Sequence, residues 1–321
     1  MAIASGQTVS LIGSAAVQFS LIWWLASETG SPIMMSLAGV FAFLPQLILG
    51  PFVGVWIDRL SRKTVIIVAD LFIGLVALVF ALFFLFDEPP YWSACVVLGF
   101  RAIGNVFHSP AIQAAVPMLV PQQELVRADR KLSIVTSATL LGMVFYAPLS
   151  TYYPLMISHY FKADAWHASM VNFGYAGGMM LCALLLGKVG TIKNKFSVIH
   201  MGLFGMGTSS LLCGLLPAEI FWFWVFAALC ALLGASCNLY NIPYIAYMQE
   251  TIAPDRMGRA FSLIGSLSSA TMPLGLLIAG PIAESKGVSL WFFISGIAIL
   301  ILALLSALLV LPRKADETEK S

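Results

Sequence analysis

Charge is scarce in this sequence. Only 10% of the 321 residues are Asp, Glu, Lys or Arg, while 60% are hydrophobic. A soluble domain carries roughly a quarter charged residues, because its surface must be solvated. A water-soluble globule is therefore excluded. The net charge of +2 leaves no basic surface for nucleic acid. Cysteine is also sparse: Cys95, Cys182, Cys213, Cys230 and Cys237 all fall inside apolar runs, without CxxC or metal-ligand spacing. They read as small buried hydrophobes, and neither a disulfide framework nor a metal site is expected. Walker, GxSxG and HExxH patterns are absent, so neither an enzyme nor a cofactor is expected. No basic n-region precedes the first apolar segment, so a cleavable signal peptide is not expected.

What fills the chain instead is apolar sequence in long runs. A bilayer core of about 30 Å needs about 20 apolar residues per helix. Ten stretches qualify, near 3–26, 32–57, 64–86, 91–115, 132–157, 166–187, 196–216, 220–245, 260–282 and 289–311. The fifth contains Pro148 and Pro154, which are expected to interrupt it. Continuous apolar runs exclude a barrel, whose strands alternate in short segments. The expected fold is thus an all-α, multi-pass membrane bundle.

Basic residues then orient the spans. Arg59, Arg62, Lys63, Arg127, Arg130, Lys131, Lys188, Lys193, Lys195, Arg256, Arg259, Arg313, Lys314 and Lys320 all fall on one side. The other side has only Lys162 and Lys286. This asymmetry predicts ten spans in the cell membrane with both termini cytoplasmic.

The segment Gly54-Val-Trp-Ile-Asp58-Arg59-Leu-Ser-Arg62-Lys63 joins the second and third spans. It is similar to the G-x-x-x-D-R-x-x-R-K signature of the major facilitator superfamily. Gly54 suits close helix approach, and Asp58 suits a neighbouring helix N-terminus. The segment from Phe100 to Ala111, with Arg101 and Gly104, resembles the R-x-x-G motif of that family's fourth helix. Val120–Leu125 and Pro254–Leu263 resemble the drug-efflux branch, and within it the macrolide-efflux group of Gram-positive bacteria. The resemblance implies a secondary active transporter that exchanges protons for a small amphiphilic substrate. It also implies gating by Gly54, Asp58, Arg59, Arg62 and Lys63, with Asp58 near the start of the ninth helix. The rival reading is a non-transporting membrane protein, either a degenerate remnant or a partner-binding module. The oligomeric state is left open.

Arg101 is the one basic residue deep in a span, and an intramembrane charge faces a partner or a wet cavity. The resemblance ties it to proton coupling; a structural ion pair with Asp70 on the third span is equally consistent. His108 shares a helix face with Arg101 and suits either a proton relay or a structural role. In the eighth span Asn238 and Asn241 share one face, while Tyr240, Tyr244 and Tyr247 form a second stripe. With Tyr146 of the fifth span, Asn238, Asn241 and Tyr244 are candidates to line a substrate cavity; interfacial and interhelical roles explain them equally well. His159 and Asp164 have the H-x-x-x-x-D spacing of some membrane acyltransferases. They lack the usual preceding asparagine and lie in a short loop, so the pattern is discounted.

The chain also departs from the family pattern. Its members continue from the fourth helix into a fifth, a sixth and a linker. Here Val126-Arg127-Ala128-Asp129 passes directly into a segment resembling the seventh helix. The expected organisation is a four-helix bundle over 1–130, a six-helix bundle over 131–312 and a tail over 313–321. An even deletion preserves every later orientation. One flank of the cavity would then open to lipid, and an isolated copy is expected to transport poorly.

Overall fold

The computed structural model describes residues 2–57, 62–86, 89–113, 130–190, 192, 194–252 and 254–310. Within these, side chains are described except at 2–12, 50–52, 54–57, 62–63, 66, 108–113, 130, 254–263 and 266. The elements run α1 (Ala2–Thr29), α2 (Pro32–Ile57), α3 (Arg62–Phe83), α4 (Trp92–Gln113), α5 (Arg130–Leu155), a π-turn (Met156–Tyr160), α6 (Ala165–Val189), α7 (Lys195–Leu215), α8 (Ile220–Thr251), α9 (Pro254–Lys286) and α10 (Val288–Val310). Among the described residues, seven helices are long and apolar enough to cross a membrane. Ile67–Phe83 and Trp92–Phe107 are shorter apolar stretches. The fold is an all-helical, multi-pass membrane bundle.

Local chemistry sets the helix ends. The Asp164 side chain accepts the His167 N–H at 3.2 Å and caps α6. Asn194 accepts the Ser197 N–H at 3.2 Å and caps α7. Each bond satisfies an amide that has no partner inside its own helix.

The prolines do not interrupt α5, contrary to the sequence expectation. The helix runs through Pro148 and Pro154 and then loosens into the π-turn. Pro148 has no N–H, so it cannot bond the Val144 carbonyl one turn back. Gly275 of α9 packs directly over that carbonyl, where an added Cβ would lie only 2.1 Å from the oxygen. Close packing of α9 therefore supports the helix where its own ladder is broken.

The helices before residue 130 (α1–α4, the first group) and those after it (α5–α10, the second) are in broad contact, with α2 packed on α9. Helix α4 packs on α2 and α3; α5 packs on α9 and α10, and α7 and α8 pack on each other, with α6 against α8 and α10 against α7. The α6–α8 contact is reciprocal: Gly178 faces the Ala231 carbonyl and Gly234 the Tyr175 carbonyl, leaving no room for a Cβ on either side. Small residues of this kind let membrane helices approach backbone to backbone. His200 adds a buried polar tie, with Nδ1–H donating to the Phe196 carbonyl at 2.7 Å and Nε2 accepting from Ser306 Oγ at 3.0 Å. Outward faces are apolar, including Leu71, Leu75 and Phe83 on α3 and Phe173, Leu184 and Leu185 on α6. Such faces suit acyl chains.

Candidate functional site

Arg101 sits on α4 among buried Val97, Leu98, Ala102 and Val106 and is only 2% exposed. Its Nη2 donates to the Ser14 carbonyl at 2.9 Å and to Ser14 Oγ at 3.0 Å. Its Nε is buried without a hydrogen-bond partner among the described residues. The interior placement agrees with the cost of charge in hydrocarbon, but the hydrogen bonds go to α1 and not to Asp70. The register explains this. Gly104 packs against Ile73, and α3 and α4 run antiparallel. At about 1.5 Å per residue, Arg101 is then level with Val76, and Asp70 lies roughly 9 Å away along the axes. Asp70 is level with Phe107 and His108 instead; the His108 side chain lies outside the described residues.

A second polar cluster runs along the seam between α5 and α8. Thr136 Oγ1 and the Tyr244 hydroxyl bond at 2.9 Å, and Tyr240 bonds to Thr139. The Tyr240 and Tyr244 rings stack at 5.3 Å. Higher on α5, the Tyr146 hydroxyl meets the Tyr175 hydroxyl of α6 at 2.9 Å. Between these levels lies a cavity of about 60 Å³, bordered by Thr139, Tyr146, Cys237, Tyr240 and Asn241 and by residues of α7 and α10. Pockets for drug-sized ligands occupy about 300–1,000 Å³, so this cavity is too small for a bulky amphiphile.

Tyr146 and Asn241 border this small cavity, which lies inside the second helix group. Asn238 does not line it: its Nδ2–H donates to the Met179 carbonyl of α6 at 2.8 Å, tying two helices together. Tyr244 is buried beneath the cavity, held by Thr136. Tyr153 adds a bond that sequence reasoning missed, its hydroxyl accepting from Asn172 Nδ2 at 2.8 Å.

The two helix groups are also tied by hydrogen bonds at the end where α1 turns into α2. His159 Nε2–H donates to the Ala26 carbonyl at 2.9 Å, and its ring occupies the space beside Gly30, whose φ of +59° suits glycine. Ser36 bonds to the Tyr152 hydroxyl. Glu284 Oε2 accepts from Ser31 Oγ at 2.8 Å and from the Ile33 N–H at 3.1 Å. The His159–Asp164 dyad does not form. Asp164 pairs with His167 Nδ1 at 2.6 Å instead, and this bond, with the His167 amide, holds the Asp164 carboxyl below its ordinary value of 3.8.

Of the loop-motif residues, Asp58 and Arg59 lie outside the described residues. Gly54 falls in α2 and Arg62 and Lys63 open α3, but their side-chain environments lie outside the described residues, as do those of 254–263 at the start of α9. Among the described residues, no group of three or more metal-ligating side chains occurs.

Similarity to known proteins runs the length of the chain. Macrolide efflux protein A of Streptococcus pyogenes is 30% identical over 390 aligned positions, covering 97% of this chain and 96% of that protein. A macrolide efflux protein A of Enterococcus faecalis is 28% identical over 325 positions, covering 77% of this chain and 100% of that protein. The multidrug efflux pump Tap of Mycolicibacterium fortuitum is 34% identical over 95 positions, 29% of this chain and 22% of that protein. The family model described as Major Facilitator Superfamily matches residues 3–153 and 134–321, so both matches claim 134–153 in α5. Together, the helical membrane bundle and two matches that span nearly every residue place this chain in the Major Facilitator Superfamily.

Proposed function

We propose that this chain is a secondary active exporter of macrolide-type amphiphiles, driven by proton antiport through alternating access of two helix bundles. The observation that carries the reading is its end-to-end similarity to macrolide efflux protein A. Arg101 supports the coupling: it is a buried cation whose Nε has no partner among the described residues, on a helix of the first group. Alternating access places substrate between the bundles, outside the small cavity beside Tyr146 and Asn241. Protons and substrate compete for one interior, and Asp70 and His108 lie at one level along the path from Arg101.

The bundles are 1–130 and 131–312, in ten spans, with 313–321 as a cytoplasmic tail. The α1–α2 turn faces outward, because the basic residues crowd the opposite end. An internal helix pair is missing relative to the full family fold. An alignment of 390 positions uses 97% of 321 residues, about 311, so roughly 79 positions face no residue of this chain. The double claim on 134–153 supports a junction at α5, which both matches share. The shortened first bundle leaves a flank open to lipid, which lowers turnover without removing the binding surfaces.

The test is macrolide accumulation in an efflux-deficient host. Cells expressing the chain are expected to hold less labelled macrolide than vector controls, and a protonophore should erase the difference. Equal accumulation in expressing and control cells would overturn the proposal.

A further inference from the structure

Glu284 has no role in the reading so far, yet its carboxylate makes two hydrogen bonds between the bundles. It lies in the last turn of α9 at the outer end and reaches across to α2. Its Oε2 accepts the Ser31 hydroxyl at 2.8 Å and the Ile33 amide at 3.1 Å. Ile33 is the second residue of α2, so its N–H is among the amides left without a partner inside the helix. The same helix end carries the positive pole of the backbone dipole. A carboxylate from the opposite bundle therefore does here what a capping side chain usually does from within its own chain segment.

Three neighbouring features belong to the same junction. Ser36 bonds to Tyr152, and His159 donates to the Ala26 carbonyl. Gly280, one turn before Glu284, packs so close to α2 that a Cβ placed on it would lie 3.2 Å from the Ser36 Cβ. Helices α1 and α2 are thus tied to α5 and α9 across the outer end. Among these ties the Glu284 contact is the charged one, and it is exposed. An exposed carboxylate and an exposed helix end are both re-solvated when they part, so the contact can break reversibly at modest cost. A buried ion pair could not.

We infer that Glu284 is the outer latch of the transport cycle: its carboxylate on the α2 N-terminus holds the outer gate shut, and the outward-open state requires its release. The inference rests on the exporter reading, but its test does not need transport. Ser36→Cys and Gly280→Cys place two Cβ atoms slightly inside the 3.5–4.5 Å that a disulfide prefers, so a shift of a few tenths of an ångström joins them. The Ser36–Tyr152 bond is lost in every arm and does not affect the comparison. In native membranes treated with oxidant, the 36–280 cross-link is mapped by peptide mass spectrometry, which leaves the five native cysteines in place.

The cross-link is expected to form readily with Glu284 present. Glu284→Ala should slow it about 3- to 10-fold, the range for losing one exposed charge-assisted cap, and Glu284→Gln should fall between. Absence of the cross-link in the double-cysteine protein would overturn the closed outer geometry. An unchanged rate in Glu284→Ala would overturn the latch. If macrolide export is absent throughout but the rates order as expected, the exporter reading fails and the latch stands.

Discussion

Replacing Arg101 by leucine is expected to separate stability from transport. The guanidinium makes two hydrogen bonds to Ser14, at 2.9 and 3.0 Å, and its Nε makes none among the described residues. Hydrogen bonds from a charged donor contribute about 1.5–3 kcal/mol each. Against them stand a desolvation penalty of several kcal/mol for a buried ion and about 1–3 kcal/mol for the unmet Nε–H. The terms nearly cancel, so Arg101→Leu should leave the detergent-solubilised melting midpoint within about 4 °C of the parent. Ser14→Ala removes one acceptor and leaves the cation in place, so it should cost about 1.5–3 kcal/mol and be the less stable of the two. Proton-coupled efflux should be lost in Arg101→Leu and retained, at reduced protein yield, in Ser14→Ala. Thermal unfolding followed by tryptophan fluorescence, paired with efflux per folded molecule, reads both quantities. If Arg101→Leu were much less stable than Ser14→Ala and its efflux per folded molecule were unchanged, Arg101 would be a structural residue and the reasoning would fail.

Other outcomes follow from the packing and the caps. Gly178→Val drives a side chain into the Ala231 carbonyl, 2.0 Å from the new Cβ, and should destabilise by about 1–3 kcal/mol; an unchanged midpoint would mean that α6 and α8 are not in backbone contact. The Asp164 carboxyl is depressed, so its contribution is present above the unfolded carboxyl pKa and is lost as pH falls through the lower folded value; protection of the His167 amide, its exchange rate taken relative to the intrinsic rate at each pH, should therefore fall as the pH drops below the usual carboxyl range, and Asp164→Ala should abolish that change. Tyr146→Phe removes the bond to Tyr175 and should cost about 0.5–1.5 kcal/mol, with a double-mutant cycle with Tyr175→Phe reading the coupling. Grafting the unmatched segment of the Streptococcus pyogenes relative after residue 129 should raise efflux if the open flank limits turnover, and no gain would count against a missing helix pair.

The apolar runs made the helices legible, because hydropathy and length decide a membrane helix almost alone. The interior position of Arg101 was legible for the same reason: a charge in a run such as Val96–Ala102 has nowhere else to go. Its partner was not legible. Ser14 is one serine among several small residues in α1, and only the placement of α1 against α4 reveals that its carbonyl and hydroxyl face one guanidinium. Asn238 shows the same limit. An amide in an apolar helix signals that a partner exists, but whether the partner is a cavity or the Met179 carbonyl depends on how α8 is rotated. Glu284 reads as an ordinary loop acid, since its contact with Ser31 joins residues 253 positions apart. The uninterrupted course of α5 depends on Gly275 of another helix, which no local reading of Pro148 could supply.

The central claim is proton-driven macrolide transport by this chain, and everted membrane vesicles test it most directly. An acidic lumen should drive saturable macrolide uptake above that of vesicles without the protein, at a rate below that of the Streptococcus pyogenes relative. Protonophore or Arg101→Leu should abolish the uptake. Uptake indistinguishable from protein-free vesicles, with the folded chain present in the membrane, would contradict the account.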